Sequence, residues 1–204
     1  MISIVNYGTG NVGSIQNMIK KIGYKSIITS DIEEINKASK IIIPGVGKFD
    51  FGISQLQNLN LINVLNRKIL TEKTPVLGIC LGMQLLAKKS EEGSLPGLGW
   101  IDAETTKFNF SANSKLKIPN MGWQTIKKKK QSNLLHGLDN DSRFYFVHSY
   151  YVRCQNSDDV IITSEYEHEY TCGIEHDNIL GVQFHPEKSH KFGMKLLQNF
   201  IELY

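Results

Sequence analysis

Two hydrophobic rhythms divide the chain. Over roughly the first ninety residues, short apolar runs alternate with stretches whose apolar residues recur every three or four positions. Ile2 to Tyr7 is such a run and ends in Gly8-Thr9-Gly10-Asn11. Ile15, Met18, Ile19 and Ile22 then mark one face of a helix, and Gly23 closes it. Ser26 to Ser30 predicts a second strand, and Ile41-Ile42-Ile43 a third, stopped by Pro44-Gly45-Val46-Gly47. The spacing of Ile53, Leu56, Leu59, Ile62, Leu65 and Ile69 predicts one long helix. Pro75 to Cys80 reads as another strand and Leu81 to Lys89 as helix. The second half is different. Trp100–Lys107, Trp123–Ile126, Arg143–Arg153, Val160–Tyr170 and Ile179–Phe184 are strand-like, with little helix between them. A last helix carries Phe192, Leu196, Leu197, Phe200 and Ile201 on one side.

Continuous apolar strands separated by helices predict an α/β fold whose central, mostly parallel sheet has helices on both faces. The second half predicts an antiparallel extension of that sheet. In Glu165-Tyr166-Glu167-His168-Glu169-Tyr170, period two sets the glutamates on one face of a half-exposed strand and the rings on the other. No repeat, low-complexity block or linker interrupts the 204 residues, so 1–204 is expected to form a single domain.

Composition narrows the function. With 23 basic and 20 acidic side chains the net charge is +3, without the basic excess of a nucleic-acid binder. The run Lys127–Lys130 reads as a solvated loop. No stretch reaches the roughly 18 apolar residues of a membrane span. The N-terminal segment lacks the pattern of a signal peptide. Cys80, Cys154 and Cys172 form no C-x-x-C pair, so neither a metal site nor a disulfide framework is expected, and reduced thiols fit the cytoplasm.

The chemistry concentrates at Gly78-Ile79-Cys80-Leu81-Gly82-Met83-Gln84. An apolar strand runs into a cysteine with glycines two residues before and after it, and a helix begins at once. This is a nucleophile elbow with cysteine in place of serine. The helix start favours a thiolate, and the Leu81 N–H is placed to stabilise an oxyanion. Such a thiol needs a base and a group to orient it. His185 follows a strand, and extended backbone before Pro186 sets residues 185 and 187 on the same side, which makes Cys80, His185 and Glu187 a candidate triad. The Gly45-Val46-Gly47 loop ends a neighbouring strand and can supply the second oxyanion donor from Val46. Gly8–Gly13 lacks the Lys-Ser/Thr of a phosphate loop.

G-I-C-L-G-M-Q together with F-H-P-E-K-S resembles the class I glutamine amidotransferases. P-G-V-G, P-N-M-G-W and F-V-H-S-Y-Y-V narrow the resemblance to the glutaminase subunits of imidazole glycerol phosphate synthase, and it runs from Asn6 to the final helix. The resemblance implies the amidotransferase α/β sandwich and cleavage of glutamine through a thioester on Cys80, without a cofactor. It implies ammonia transfer to a (β/α)₈-barrel cyclase subunit in histidine synthesis. By the same resemblance Gly45, Gly47, Gln84, His148, Ser149 and Tyr150 contact glutamine, and Asn11, Pro119, Asn120, Met121 and Trp123 lie at the partner interface. The chain departs from the family at Asn6, where an acid is usual, and at Gly13, where an arginine is usual. Lys48 stands where a small residue is usual and Cys154 where proline is usual. These departures leave the triad untouched and leave open a second acceptor, an amidino sugar of a surface glycan, served by similar subunits. A stand-alone cysteine hydrolase is the third reading.

Overall fold

The computed structural model describes residues 1–112 and 114–204. The first half is built from β1 (Ile2–Val5), α1 (Val12–Lys21), β2 (Ser26–Thr29), α2 (Ile32–Asn36), β3 (Lys40–Gly45), α3 (Phe49–Asn58), α4 (Leu61–Asn66), β4 (Val76–Cys80) and α5 (Leu81–Leu85). The second half contributes β5 (Lys89–Ser90), β6 (Ala103–Lys107), β7 (Asn120–Thr125), β8 (Lys127–Lys128), β9 (Arg143–His148), β10 (Tyr150–Cys154), β11 (Val160–Tyr166), β12 (His168–His176), β13 (Ile179–Val182) and α6 (His190–Leu203).

The central sheet has the order β2-β1-β3-β4-β13-β12-β11-β8. From β2 to β13 neighbouring strands are parallel, and β12, β11 and β8 continue the sheet antiparallel. β1, β4 and β13 are buried along their whole length, which is why their apolar runs are continuous rather than alternating. Ile15 and Ile19 of α1 and Leu196, Leu197 and Phe200 of α6 pack on one face with Ile42, Leu77 and Ile79. Ile35 of α2, Ile53 and Leu56 of α3, and Leu65 of α4 cover the other with Ile41, Ile43 and Val76. The α/β sheet with helices on both faces and an antiparallel extension is therefore present. Two small sheets, β10-β6-β5 and β7-β9, add to it.

Several predicted boundaries move. The long helix breaks into α3 and α4 because Asn60 takes a left-handed backbone, φ 56°. Asparagine tolerates that conformation, so an unbroken apolar period hides the break. α2 escapes the pattern because one turn carries little apolar signal. Its Asp31 cap, accepting from Glu33 N at 2.7 Å and Glu34 N at 3.1 Å, is the cue. Arg143–Arg153 is two strands that part at Ser149, β9 pairing with β7 and β10 with β6. Val160–Tyr170 is not one strand but folds back at Glu167, φ 65°, so that Glu165 faces Glu169. Tyr166, His168 and Tyr170 do share a face, gathered around Phe108 with ring centroids 5.7, 5.8 and 5.1 Å away. The lysine run is not a free loop: Lys127 and Lys128 form the edge strand β8, Lys127 pairing with Glu165 at 2.8 Å and Lys129 with Glu169 at 3.0 Å. Lysines on an edge strand also discourage pairing with a further chain.

The strand order reverses between β1 and β3, the place where ligands bind in open α/β sheets. The loops after β1, β3, β4 and β13 meet there.

Candidate active site

Cys80 ends β4 and caps α5 with φ 55° and ψ −112°, a strained backbone that lifts its side chain out of the sheet. The two glycines make that turn feasible. A Cβ on Gly82 would stand 1.8 Å from the Ile43 carbonyl oxygen, and one on Gly78 2.8 Å from the Gly82 backbone. Across the sheet Gly45 is the register partner of Cys80. The thiol lies 3.7 Å from Gln183 Nε2 and 3.9 Å from the Val147 carbonyl.

His185 arrives from the end of β13 in extended backbone, φ −102° and ψ 97°. Its Nδ1 is 2.8 Å from Glu187 Oε1, and both side chains are 1% exposed. Among the described residues His185 Nε2 is buried without a hydrogen-bond partner. Burial opposes a charge on this imidazole, but Cys80 and Glu187 outweigh it and raise His185 to about 10. Glu187 is pushed up by burial, yet the bonds from His185 and from Asn11 prevail and hold its carboxyl below the usual range. A buried acid thus fixes one ring nitrogen while the other is left for the thiol, the division of roles a nucleophile–base–orienter set requires.

The thiol opens into a cleft of about 240 Å³. Val46, Gly47, Leu81, Gln84, His148, Ser149, Tyr150 and His185 border it, as does Pro119 from the segment assigned to a partner. Gly45 is buried beneath the loop, where a Cβ would stand 2.6 Å from Tyr7 Oη and 2.8 Å from Leu81 Cβ. Its part is close packing, and it does not line the cleft. Leu81 is the first residue of α5, where an N–H has no acceptor within its own helix. The Val46 N–H, by contrast, donates to Thr9 Oγ1 at 3.0 Å, and the Thr9 hydroxyl bonds in turn to the Val46 carbonyl.

The residues assigned to a partner divide. Met121 and Trp123 are 62% and 46% exposed on the outer face of β7. Asn120 is fully buried on its inner face, turned away from the exposed face that Met121 and Trp123 present. Asn11 donates from Nδ2 to Glu187 Oε1 at 2.9 Å, so it braces the carboxylate that holds His185. Sequence reasoning missed Gln183, whose Oε1 accepts from Gln84 Nε2 at 3.0 Å. It also missed Glu92, which brings a carboxylate to the cleft and accepts from the first N–H of α3, Phe49 N, at 2.8 Å. Nothing in Glu91-Glu92 distinguishes the second acid from the first.

Comparison with known proteins bears on this geometry. A family profile described as "Glutamine amidotransferase class-I" matches residues 3–203. "Imidazole glycerol phosphate synthase subunit HisH 2" of Methanococcus maripaludis is 58% identical over 202 residues, 99% of each chain. A protein of the same name from Pseudomonas aeruginosa is 44% identical over 203 residues, covering both chains completely. Among solved structures, a putative GMP synthase protein from Thermoplasma acidophilum superposes with a TM-score of 0.73 at 21% identity, over 98% of this chain and 91% of that one.

Proposed function

We propose that this chain, which belongs to the class I glutamine amidotransferase family, is the glutaminase subunit of an imidazole glycerol phosphate synthase. The observation that carries the reading is the buried His185–Glu187 pair, 2.8 Å apart, beside a cysteine at a strand-to-helix elbow. The Cys80 thiol yields its proton to His185 as its sulfur attacks the glutamine carboxamide carbon, and His185 passes that proton to the departing amino group, which leaves as ammonia. Water, relieved of a proton by His185, then hydrolyses the thioester to glutamate and regenerates the thiol. Leu81 N–H and Val46 N–H hold the oxyanion at each tetrahedral stage. Gln84, Ser149, Tyr150 and the Gly47 end of the loop hold the amino acid, and the Glu92 carboxylate takes its α-ammonium group. Residues 1–204 act together as one amidotransferase domain, in the cytoplasm.

The ammonia passes to a (β/α)₈-barrel cyclase subunit docked on the exposed Met121–Trp123 face of β7. That subunit uses it to make imidazole glycerol phosphate in histidine synthesis. The test is glutamate release by the purified chain, alone and with the barrel subunit carrying its acceptor. Strong stimulation is expected, and equal rates would favour a stand-alone hydrolase. Cys80→Ala should abolish glutamine hydrolysis while ammonia-dependent synthesis by the complex continues. Rescue of a histidine auxotroph that lacks its own glutaminase subunit separates this acceptor from an amidino sugar.

A further inference from the structure

Behind the Tyr150 wall of the cleft lies a buried polar network that the reaction scheme leaves unused. Asn120, at the start of β7, points its amide inward. Asn120 Nδ2 lies 3.2 Å from His148 Nε2 and 3.2 Å from Tyr170 Oη. Its Oδ1 accepts from Gln124 Nε2 at 2.7 Å, and Gln124 Oε1 accepts from Tyr170 Oη at 2.8 Å. On its other side His148 Nδ1 lies 2.8 Å from the Tyr150 carbonyl oxygen. That carbonyl also accepts from Gln84 Nε2 at 3.0 Å.

A proton count fixes the roles. A carbonyl oxygen only accepts, so the ring nitrogen 2.8 Å away must carry a hydrogen. Burial, with the nearby His185 adding to it against the Tyr150 carbonyl bond, lowers His148 to about 4, so at neutral pH the ring holds one proton. That proton is on Nδ1, and Nε2 is a bare acceptor that requires a donor. The Asn120 amide is that donor, and the Gln124 bond to Asn120 Oδ1 keeps it from turning over.

We propose that Asn120 is a positioning residue that locks His148 in its Nδ1–H form and thereby fixes the Tyr150 wall of the glutamine cleft. The opposite tautomer would set the Nδ1 lone pair against the Tyr150 oxygen and release that peptide. Tyr150 and Ser149 border the cleft, so the lock acts on how glutamine is held and leaves the thiol alone. The inference rests on the glutaminase reading for its kinetic consequence only.

The decisive measurement is ¹⁵N NMR of the histidine rings in the full-length chain, with His148 assigned against a His148→Gln variant. The wild-type protein should show the proton on Nδ1 and a bare Nε2, and a proton on Nε2 instead would overturn the proposal. Asn120→Asp offers Nε2 only acceptors and should draw a second proton onto the ring. Asn120→Leu removes the donor and should raise KM for glutamine roughly tenfold, about one buried hydrogen bond. Its kcat should change little, and iodoacetamide should alkylate Cys80 at the wild-type rate. If Asn120→Leu lowers thermal stability but leaves both KM and the ring signals as in wild type, the role is merely structural and the proposal is wrong. Should neither variant fold, a wild-type proton on Nε2 would still overturn the proposal. Should the wild-type chain hydrolyse no glutamine, the functional reading fails while that signal stands.

Discussion

Thr9→Val removes a hydroxyl and keeps the shape of the side chain. In the resting structure that hydroxyl accepts from the Val46 N–H at 3.0 Å and bonds to the Val46 carbonyl, so both polar groups of the residue are engaged outside the oxyanion site. For the Val46 N–H to serve an oxyanion on the substrate, it must leave Thr9. The barrier therefore includes the loss of about one hydrogen bond between neutral groups, worth about 0.5–1.5 kcal/mol net. Thr9 is half-buried and Val46 is 40% exposed, so water replaces part of that bond and the lower half of the range applies. At tenfold in rate per roughly 1.4 kcal/mol, Thr9→Val should raise unstimulated glutaminase turnover by a factor of about 2–5. On the proposed reading the docked partner has already freed the Val46 N–H from Thr9, so the partner-stimulated rate should stay near wild type. The ratio of stimulated to unstimulated turnover should fall accordingly. The assay is steady-state glutamate release from the chain alone and from the saturated complex, with Thr9→Ser as the control that keeps the hydroxyl. If Thr9→Val hydrolyses glutamine at or below the wild-type rate without partner while binding the partner normally, Thr9 does not restrain the loop.

Two further outcomes test the same centre. Val46→Pro deletes the N–H itself and should reduce stimulated turnover by about 10²–10³, whereas Val46→Ala stays largely active; haloacetamide labelling of Cys80, which forms no oxyanion, should proceed normally in both. For pH, Cys80 and Glu187 raise His185 from its ordinary 6.5 to about 10, so the folded state binds that proton more tightly than the unfolded one. The associated stability is fully present below pH 6.5 and is lost as pH rises through about 10. Thermal midpoints followed from pH 6 to pH 10.5 should decline, and in Glu187→Gln the decline should start at the same pH but end at lower pH and be smaller in total. Parallel curves for the two proteins would remove Glu187 from that role.

The parts of this site that could be read from the sequence are local ones. Gly78-Ile79-Cys80-Leu81-Gly82 states its geometry directly, because a Cβ at either glycine would collide with backbone. His185 and Glu187 were legible as a pair because they lie two residues apart, but not by the expected geometry: only His185 is extended, and the 3₁₀ turn Pro186–Lys188 carries Glu187 back to the imidazole. Asn11 was not, since the carboxylate it holds lies 176 residues away in the chain. The burial of Asn120 was hidden for a different reason. Along β7 the usual pattern is inverted: apolar Met121 and Trp123 face solvent while polar Asn120 and Gln124 point inward. A period of two gives the alternation but not which face is buried, and the neighbouring large apolar residues point to the wrong one. The inversion is informative in its own right. Exposed aromatic and methionine side chains above a satisfied polar interior suit a surface that another chain covers.

The magnitudes also indicate where control of the reaction must lie. An absent oxyanion donor is worth about 10²–10³ in turnover, but the Thr9 bond accounts for only a factor of about 2–5. On the proposed reading the remaining resistance comes from the loop backbone. It is anchored before Val46, where Tyr7 Oη donates to the Pro44 carbonyl, and it passes through Gly47 at φ 102° just after it. Tyr7 is completely buried, so that anchor is not weakened by solvent. A conformational change is driven only by a difference in binding free energy between its two states. On the proposed reading, the partner and its acceptor must bind the turned loop more tightly than the resting one by about 3–4 kcal/mol to restore a factor of 10²–10³. Rearranging two or three hydrogen bonds suffices for that difference. His185 and Glu187 already stand 2.8 Å apart in the chain by itself, so on this reading the energy is needed at the oxyanion loop rather than at the base.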